Sequence, residues 1–271
     1  MSRPLALVTG AASGIGAAVA ERLVRRGHRV ITVDRNAELA DAAAVATGSD
    51  AIPVACDVGD RAALADLRDR IEGEWADDLM VVVANAGIIR IGEVDNQTAD
   101  DLDATIDVNL RAAMQLGQAA VGVFLPKGRG HFLATVSMGG IMAMPGSAAY
   151  SASKAGLRAF LASLHAELAG TDVRVSGIYP SAVDTPMLRH EARHGGSPLN
   201  FIGEVLPVHE IADAYEKAFD TGRLEVYAPY VDSLSTRMTM LRPAAVPRLI
   251  RPLNWIGERG RAKFLDRIGD A

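Results

Sequence analysis

Cysteine is almost absent from this chain. Among 271 residues only Cys56 occurs, so an intramolecular disulfide is excluded and a reducing, cytoplasmic setting is expected. No apolar run approaches the roughly 18 residues of a membrane-spanning helix. The chain does not open on a basic stretch followed by an apolar one, the pattern of a secretory leader. Internal repeats and low-complexity tracts are missing. So is an excess of basic charge: the formal net charge is −5, which disfavours nucleic acid as a partner. Apolar residues, in contrast, are plentiful. At 49% hydrophobic and 23% charged, the chain can bury a full core as one unit.

Short apolar runs alternate with stretches of helical composition. Strands are expected near residues 4–9, 28–33, 52–55, 79–83, 131–136, 173–178 and 224–227. Helices are expected near 14–26, 60–75, 99–124, 150–169 and 208–219. That alternation predicts an α/β fold, a doubly wound parallel sheet of about seven strands with helices on both faces. Right-handed crossovers then bring the C-terminal ends of the strands to one edge. Gly10, Asp34, Asp57, Asn85, Ser137 and Pro180 each follow an expected strand and so converge there.

The first strand runs into Thr9-Gly10-Ala11-Ala12-Ser13-Gly14-Ile15-Gly16 and then into a helical stretch. Strand, glycine-rich turn and helix is the context of a dinucleotide site. Glycines permit the tight turn and a close approach of backbone to pyrophosphate, and the helix N-terminus offers N–H groups to the phosphates. The next strand ends on Asp34, a carboxylate placed to accept from adenosine ribose hydroxyls.

Tyr150 and Lys154 are four residues apart at the start of a helix with Leu157, Leu161, Leu164 and Leu168 at helical spacing. One helix face therefore carries both phenol and ammonium. A free phenol has a pKa of about 10. A nearby cation favours the phenolate, so the pair is expected to form a proton-transfer device with a lowered Tyr150 pKa.

Together these features resemble the short-chain dehydrogenase/reductase family, over roughly residues 4 to 231. Thr9-Gly10-x-x-x-Gly14-Ile15-Gly16 matches the family's cofactor turn. Cys56-Asp57-Val58 matches the segment whose Asp meets adenine. Ala84-Asn85-Ala86-Gly87 matches N-N-A-G, with Ala84 in place of the first Asn. Asn109, Ser137, Tyr150 and Lys154 match the catalytic set in order. The resemblance implies a Rossmann-like fold and a nicotinamide cofactor held by Gly10, Ser13, Gly14, Ile15, Gly16, Asp34, Arg35, Asp57, Val58, Asn85, Ala86, Gly87, Tyr150, Lys154, Pro180, Val183 and Thr185. It implies Tyr150 as general acid/base and Lys154 as its electrostatic partner and ribose ligand. Ser137 would donate to the substrate oxygen, and Asn109 would position a water in a proton path. A homodimer or homotetramer is the implied assembly.

Each residue also has a structural reading. Ser137 can cap a turn before Gly139-Gly140, and Asn109 can bond locally within its helix. Asp57 can cap the helix that starts near Asp60, and Asp34 can open a turn with Arg35 and Asn36. Their fit to one template favours the catalytic reading. A non-catalytic dinucleotide-binding or sensor protein on the same fold is the alternative; it would have no chemical need for the intact Ser137, Tyr150 and Lys154.

Asp34 favours NAD over NADP, because its carboxylate repels a 2′-phosphate, whereas Arg35 beside it could bind one. The family's Pro-Gly is Pro180-Ser181 here, and Ser181 is expected to keep a negative φ. His190-Glu191-Ala192-Arg193-His194 fits the zinc metalloprotease pattern H-E-x-x-H. Gly195-Gly196-Ser197-Pro198 cuts any helix short there and no third ligand is evident, so no metal site is assigned.

Met138, Gly139, Met144 and Met187 are expected to line a substrate pocket with Ser137 and Tyr150, and Leu188, Leu199, Phe201 and Ile202 to lie in its lid. A hydrophobic alcohol or ketone is the expected substrate. Residues 1–231 read as the catalytic domain and 232–271 as an extension. The extension carries eight Lys+Arg and four Asp+Glu, a balance of +4, and three prolines, Pro243, Pro247 and Pro252, that should cut it into short pieces. Docking on the acidic body is expected first, with capping of the substrate pocket, packing on another subunit or contact with an anionic membrane surface as alternatives.

Overall fold

The structure, a computed structural model, describes residues 3–48, 50–242, 244 and 246–269. Seven strands form one parallel sheet: β1 (Leu5–Thr9), β2 (Arg29–Asp34), β3 (Ile52–Ala55), β4 (Leu79–Ala84), β5 (Gly130–Thr135), β6 (Val173–Pro180) and β7 (Glu225–Ala228). Their order is β3-β2-β1-β4-β5-β6-β7, with every adjacent pair parallel. The order reverses between β1 and β4, and that switch point opens a crevice at the strand C-terminal ends.

Alternation along the strands divides the interior into two cores. Leu5, Leu7, Val82 and Ala84 face one side with α3 (Arg61–Glu72), α5 (Ala112–Lys127) and α6 (Ala148–Glu167). Ala6, Val8, Val81 and Val83 face the other with α1 (Gly14–Arg25), α2 (Ala37–Thr47) and α8 (Val208–Thr221). Helices on both faces explain why β1 is buried along its whole length and reads as an uninterrupted apolar run. Among the described residues, no helix is long and apolar enough to cross a membrane.

Several elements differ from the sequence expectation. Helix α2 was not expected. Asn36, read as part of a turn, is its N-cap and accepts from the Leu39 N–H at 2.9 Å. The helix expected over 99–124 is divided into α4 (Ala99–Ile106) and α5 by a π-helical turn at Asp107–Arg111. Such turns gather at functional sites, and this one carries Asn109. Helix α6 begins two residues early, which sets Tyr150 in its first turn. Strand β6 runs on through Pro180 rather than ending before it.

The extension is where expectation fails most. Beyond α7 (Pro186–Arg193), α8 and β7, the chain folds into α9 (Tyr230–Thr239) and the long α10 (Val246–Arg267). Pro252 sits inside α10 without ending it, and Pro243 lies outside the described residues. Helix α10 does dock on the body, but through close apolar contact more than through charge. It packs on the Pro198–Phe201 turn and on α7. A Cβ at Gly257 would come within 2.1 Å of the Pro198 carbonyl oxygen. Phe264 meets Phe201 with ring centres 5.5 Å apart. Arg267 reaches Asp184 at 4.0 Å. This anchoring supplies the tertiary energy that carries the helix past its proline.

Candidate active site

The cofactor turn is built on mutual contact between β1, β4 and α1. A Cβ on Gly16 would lie 2.0 Å from the Gly10 carbonyl oxygen and 2.6 Å from Asn85 Nδ2. Gly16 therefore lets the helix close onto the turn; it sits behind the cleft wall rather than in it. Gly10 turns with φ +66°, a backbone that favours glycine.

Asn85 holds strand ends together. Its Nδ2 donates to the Thr9 carbonyl at 3.0 Å, and its Oδ1 accepts from Thr135 Oγ1 at 2.8 Å. The N–H groups of Asn85 and Ala86 both donate to Thr9 Oγ1 at 3.0 Å. Thr135 Oγ1 also shares a 2.6 Å hydrogen bond with the Tyr215 hydroxyl. The bonding roles of Thr9, Thr135 and Tyr215 escaped the sequence reading, since nothing local marks partners that lie 50 to 80 residues away.

Asp34 accepts from the Ala12 N–H at 2.9 Å and from its neighbour Arg35 at 2.8 Å. Its carboxylate is thus fixed against the glycine turn. Asp57 accepts from the Gly59 N–H at 2.8 Å, while Asp60 caps α3 through the Ala63 N–H. One cleft of about 820 Å³ is lined by Gly10, Ser13, Gly14, Ile15, Asp34, Arg35, Asp57, Val58, Asn85, Ala86, Gly87, Ser137, Tyr150, Lys154, Pro180, Val183 and Thr185. A nicotinamide dinucleotide fits this cleft on two observations. The glycine turn offers bare backbone, with Gly14 so close to Thr185 that a Cβ would approach its methyl to 3.1 Å. Ser181, which has the expected negative φ, carries a buried hydroxyl with no partner among the described residues, in the cleft wall where a bound polar group would satisfy it.

Tyr150, Ser137 and Lys154 meet at the inner end. The Ser137 hydroxyl accepts from the Gly139 N–H at 3.0 Å, and both it and the Tyr150 ring lie against Gly139, close enough for the hydroxyl to favour the ionised phenol. Gly139 lies under the Tyr150 ring, and Gly140 lies against the Lys154 backbone. Lys154 Nζ donates to the Thr135 carbonyl at 2.8 Å and stands 5.7 Å from the Tyr150 ring centre.

The charge balance departs from expectation. Burial pushes the Tyr150 phenol up to about 12; the Ser137 hydroxyl pulls it down and the Glu191 charge pushes it further up. Burial also lowers Lys154 to about 8. Desolvation therefore governs both groups, which are enclosed, and the lowering of Tyr150 expected from the Lys154 cation is not found.

Asn109 is 1% exposed and lies behind the cleft wall. Its Oδ1 accepts from the Ile88 N–H at 2.8 Å, and its Nδ2 donates to the Ile88 carbonyl and to Ser153 Oγ at 2.9 and 3.1 Å. Ser153 Oγ donates in turn to the Tyr150 carbonyl at 2.7 Å.

Of the expected substrate residues, Met144 and Met187 line the cleft, whereas Met138 and Gly139 lie behind it. Met138 is buried and Gly139 supports the tyrosine. Leu188 lines the lid side, while Leu199, Phe201 and Ile202 do not; Phe201 anchors α10 instead. In the H-E-x-x-H segment His190 and His194 are exposed and stacked on each other at 4.1 Å, while Glu191 is buried on the opposite side. Among the described residues no three His, Cys, Asp or Glu side chains are grouped to hold a metal.

Residues 4–195 match the family model described as short chain dehydrogenase. A 1-deoxy-11-beta-hydroxypentalenate dehydrogenase from Streptomyces avermitilis is 38% identical over 231 residues, covering 82% of this chain and 83% of the relative. A short-chain dehydrogenase from Sphingobium yanoikuyae, solved in complex with NADPH, superposes with a TM-score of 0.77 at 29% identity, covering 91% of this chain and 95% of the other. A bulky-bulky ketone specific alcohol dehydrogenase from Comamonas testosteroni has a TM-score of 0.75 at 27% identity, with the same coverage. With its seven-stranded parallel sheet and its dinucleotide cleft, this chain belongs to the short-chain dehydrogenase/reductase family of nicotinamide-dependent oxidoreductases.

Proposed function

We propose that this protein interconverts a secondary alcohol and a ketone on an apolar frame, with NAD as the favoured cofactor. The observation that carries this reading is the joint placement of Ser137, Tyr150 and Lys154 at the inner end of the dinucleotide cleft. The nicotinamide supplies the hydride acceptor or donor. Tyr150 holds the proton that moves to or from the substrate oxygen. With its phenol pushed up to about 12, it is protonated at neutral pH and set to act as an acid in the reductive direction. Ser137 stands beside the phenol and can donate to the same oxygen as charge develops on it. Lys154, fixed by the Thr135 carbonyl, contributes positive charge beside the phenol and steadies its ionised form when the proton leaves. Asn109 supports this group from behind, holding Ile88 and, through Ser153, the backbone turn that carries Tyr150.

The Asp34 carboxylate, fixed by the Ala12 N–H, supports NAD by its repulsion of a 2′-phosphate. The S. yanoikuyae structure holds NADPH, so Arg35 beside Asp34 is the residue that would serve the other cofactor. Met144, Met187 and Leu188 support an apolar substrate. The bulky ketone of the C. testosteroni enzyme and the pentalenate of the S. avermitilis relative are in keeping with that frame.

Tyr150→Phe tests the reading. Turnover of hydrophobic ketones, followed by the absorbance of reduced nicotinamide, is expected to fall by about 10²–10⁴-fold with cofactor binding retained. Full turnover in that variant would remove the proton-transfer assignment.

A further inference from the structure

Glu191 is a carboxylate where the helix pattern calls for an apolar residue. In α7 the inward positions are Leu188, Glu191 and Ala192, and Glu191 is only 5% exposed. No ion pair to it occurs among the described salt bridges; Arg189, on the same helix, bonds Asp184 at 2.7 Å. Its described side-chain partner is neutral: Asn200 Nδ2 donates to Glu191 Oε2 at 3.0 Å. Burying a carboxyl this way is costly, and the cost shows as a carboxyl pushed up to about 7 by burial, with the Asn200 hydrogen bond drawing it partly back.

The local chain is shaped around this residue. The Gly196 N–H donates to the Glu191 carbonyl at 2.8 Å. A Cβ on Gly196 would lie 2.5 Å from Glu191 Cβ, so the loop folds back on the glutamate only with glycine there. Asn200 is held from outside, since Pro198 and Phe201 on either side of it are gripped by Gly257, Gly260 and Phe264 of α10. Glu191 and Asn200 both line the cleft that contains Tyr150 and Ser137. The carboxylate is near enough for its charge to act on the Tyr150 phenol.

We infer that Glu191, held by Asn200, recognises the substrate, and that the substrate carries a second hydrogen-bond donor, a hydroxyl or an amine, apart from the carbon that reacts. The inference rests on the dehydrogenase reading above and names the substrate class within it. The Met144, Met187 and Leu188 side chains would take the apolar frame while Glu191 takes the remote donor. Above pH 7, where Glu191 is ionised, a substrate with a carboxylate in that position is disfavoured by like-charge repulsion.

The test is equilibrium binding to the NAD-loaded enzyme, read as a ligand-induced shift in Tm. The probes are matched alcohols that differ by one remote hydroxyl or one remote amine, with the spacing stepped along a series. At the fitting spacing the wild type is expected to bind the donor-bearing member about tenfold more tightly. Glu191→Leu is expected to bind both members alike. Glu191→Gln keeps the shape, and so guards against a folding defect. If the natural donor is an amine, Glu191→Gln loses the whole preference; if it is a hydroxyl, it keeps part. Equal binding of every pair by the wild type, or an unchanged preference in Glu191→Leu, overturns the inference. Turnover by Tyr150→Phe reports on the dehydrogenase reading separately, so either idea can fail while the other stands.

Discussion

Lys154 Nζ donates to the carbonyl of Thr135, at the end of β5, over 2.8 Å. That bond spans 19 positions of sequence and fixes a buried cation between the strand end and Tyr150. Its thermodynamic cost can be measured. Burial lowers Lys154 from its ordinary 10.5 to about 8. Between those values the unfolded chain binds the proton that the folded protein releases, so stability rises with pH across that window. Below pH 8 the buried charge costs up to about 3 kcal/mol. Urea unfolding at pH 7 to 10 is expected to show this rise in the wild type and a flatter profile in Lys154→Met. Parallel profiles would mean that Lys154 is solvated.

Glu191 gives the opposite sign. Its carboxyl is raised from 4.5 to about 7, so the folded protein keeps a proton that the unfolded chain has lost. The stabilisation is complete below pH 4.5 and disappears as pH rises through 7. The wild type is expected to lose up to about 3 kcal/mol over that range, and Glu191→Gln much less. The difference between their urea midpoints at pH 4.5 and pH 8 measures it. No change in that difference would show the carboxyl to be hydrated.

Gly260 faces the Phe201 carbonyl oxygen so closely that a Cβ would come within 1.9 Å. Gly260→Ala is therefore expected to loosen α10 despite the better helix propensity of alanine, at a cost of about 2 kcal/mol. Amide exchange should quicken in α10 and in Pro198–Phe201 together. Because Asn200 lies in that turn and holds Glu191, KM for the substrate should rise more than kcat falls. Normal exchange and an unchanged KM would separate the extension from the site.

Asp34→Ala is expected to narrow the proposed preference for NAD over NADP by about tenfold in kcat/KM, the worth of one charged hydrogen bond. Its Oδ2 accepts from the Ala12 N–H, so a small general loss of cofactor affinity should accompany the change. A constant ratio would place cofactor choice elsewhere, with Arg35 the next residue to replace.

Legibility in the sequence follows the range of the interactions involved. Tyr150 and Lys154 could be paired because four residues of helix place them on one face. Gly10, Gly14 and Gly16 could be read because a tight turn between strand and helix restricts residue type locally. Helix α2 was missed because Asn36 suits a turn and an N-cap equally well. The H-E-x-x-H spacing joined Glu191 to two histidines, yet the helix turns both rings outward and the carboxyl inward. Pro252 suggested a break, and only the seat of Gly257 and Gly260 on a distant turn kept α10 whole.

By itself the sequence determined the parallel sheet, the crevice at its switch point and the residues that gather there. Hydrophobic periodicity, glycine geometry and helical spacing act over a few neighbouring residues and are written in their order. Only the tertiary structure decided how those residues are charged and what surrounds the substrate. The raised Tyr150 phenol, the lowered Lys154 amine and the buried Glu191 carboxyl all follow from desolvation. Desolvation sums over every atom packed nearby, whatever its distance along the chain, so no local pattern encodes it.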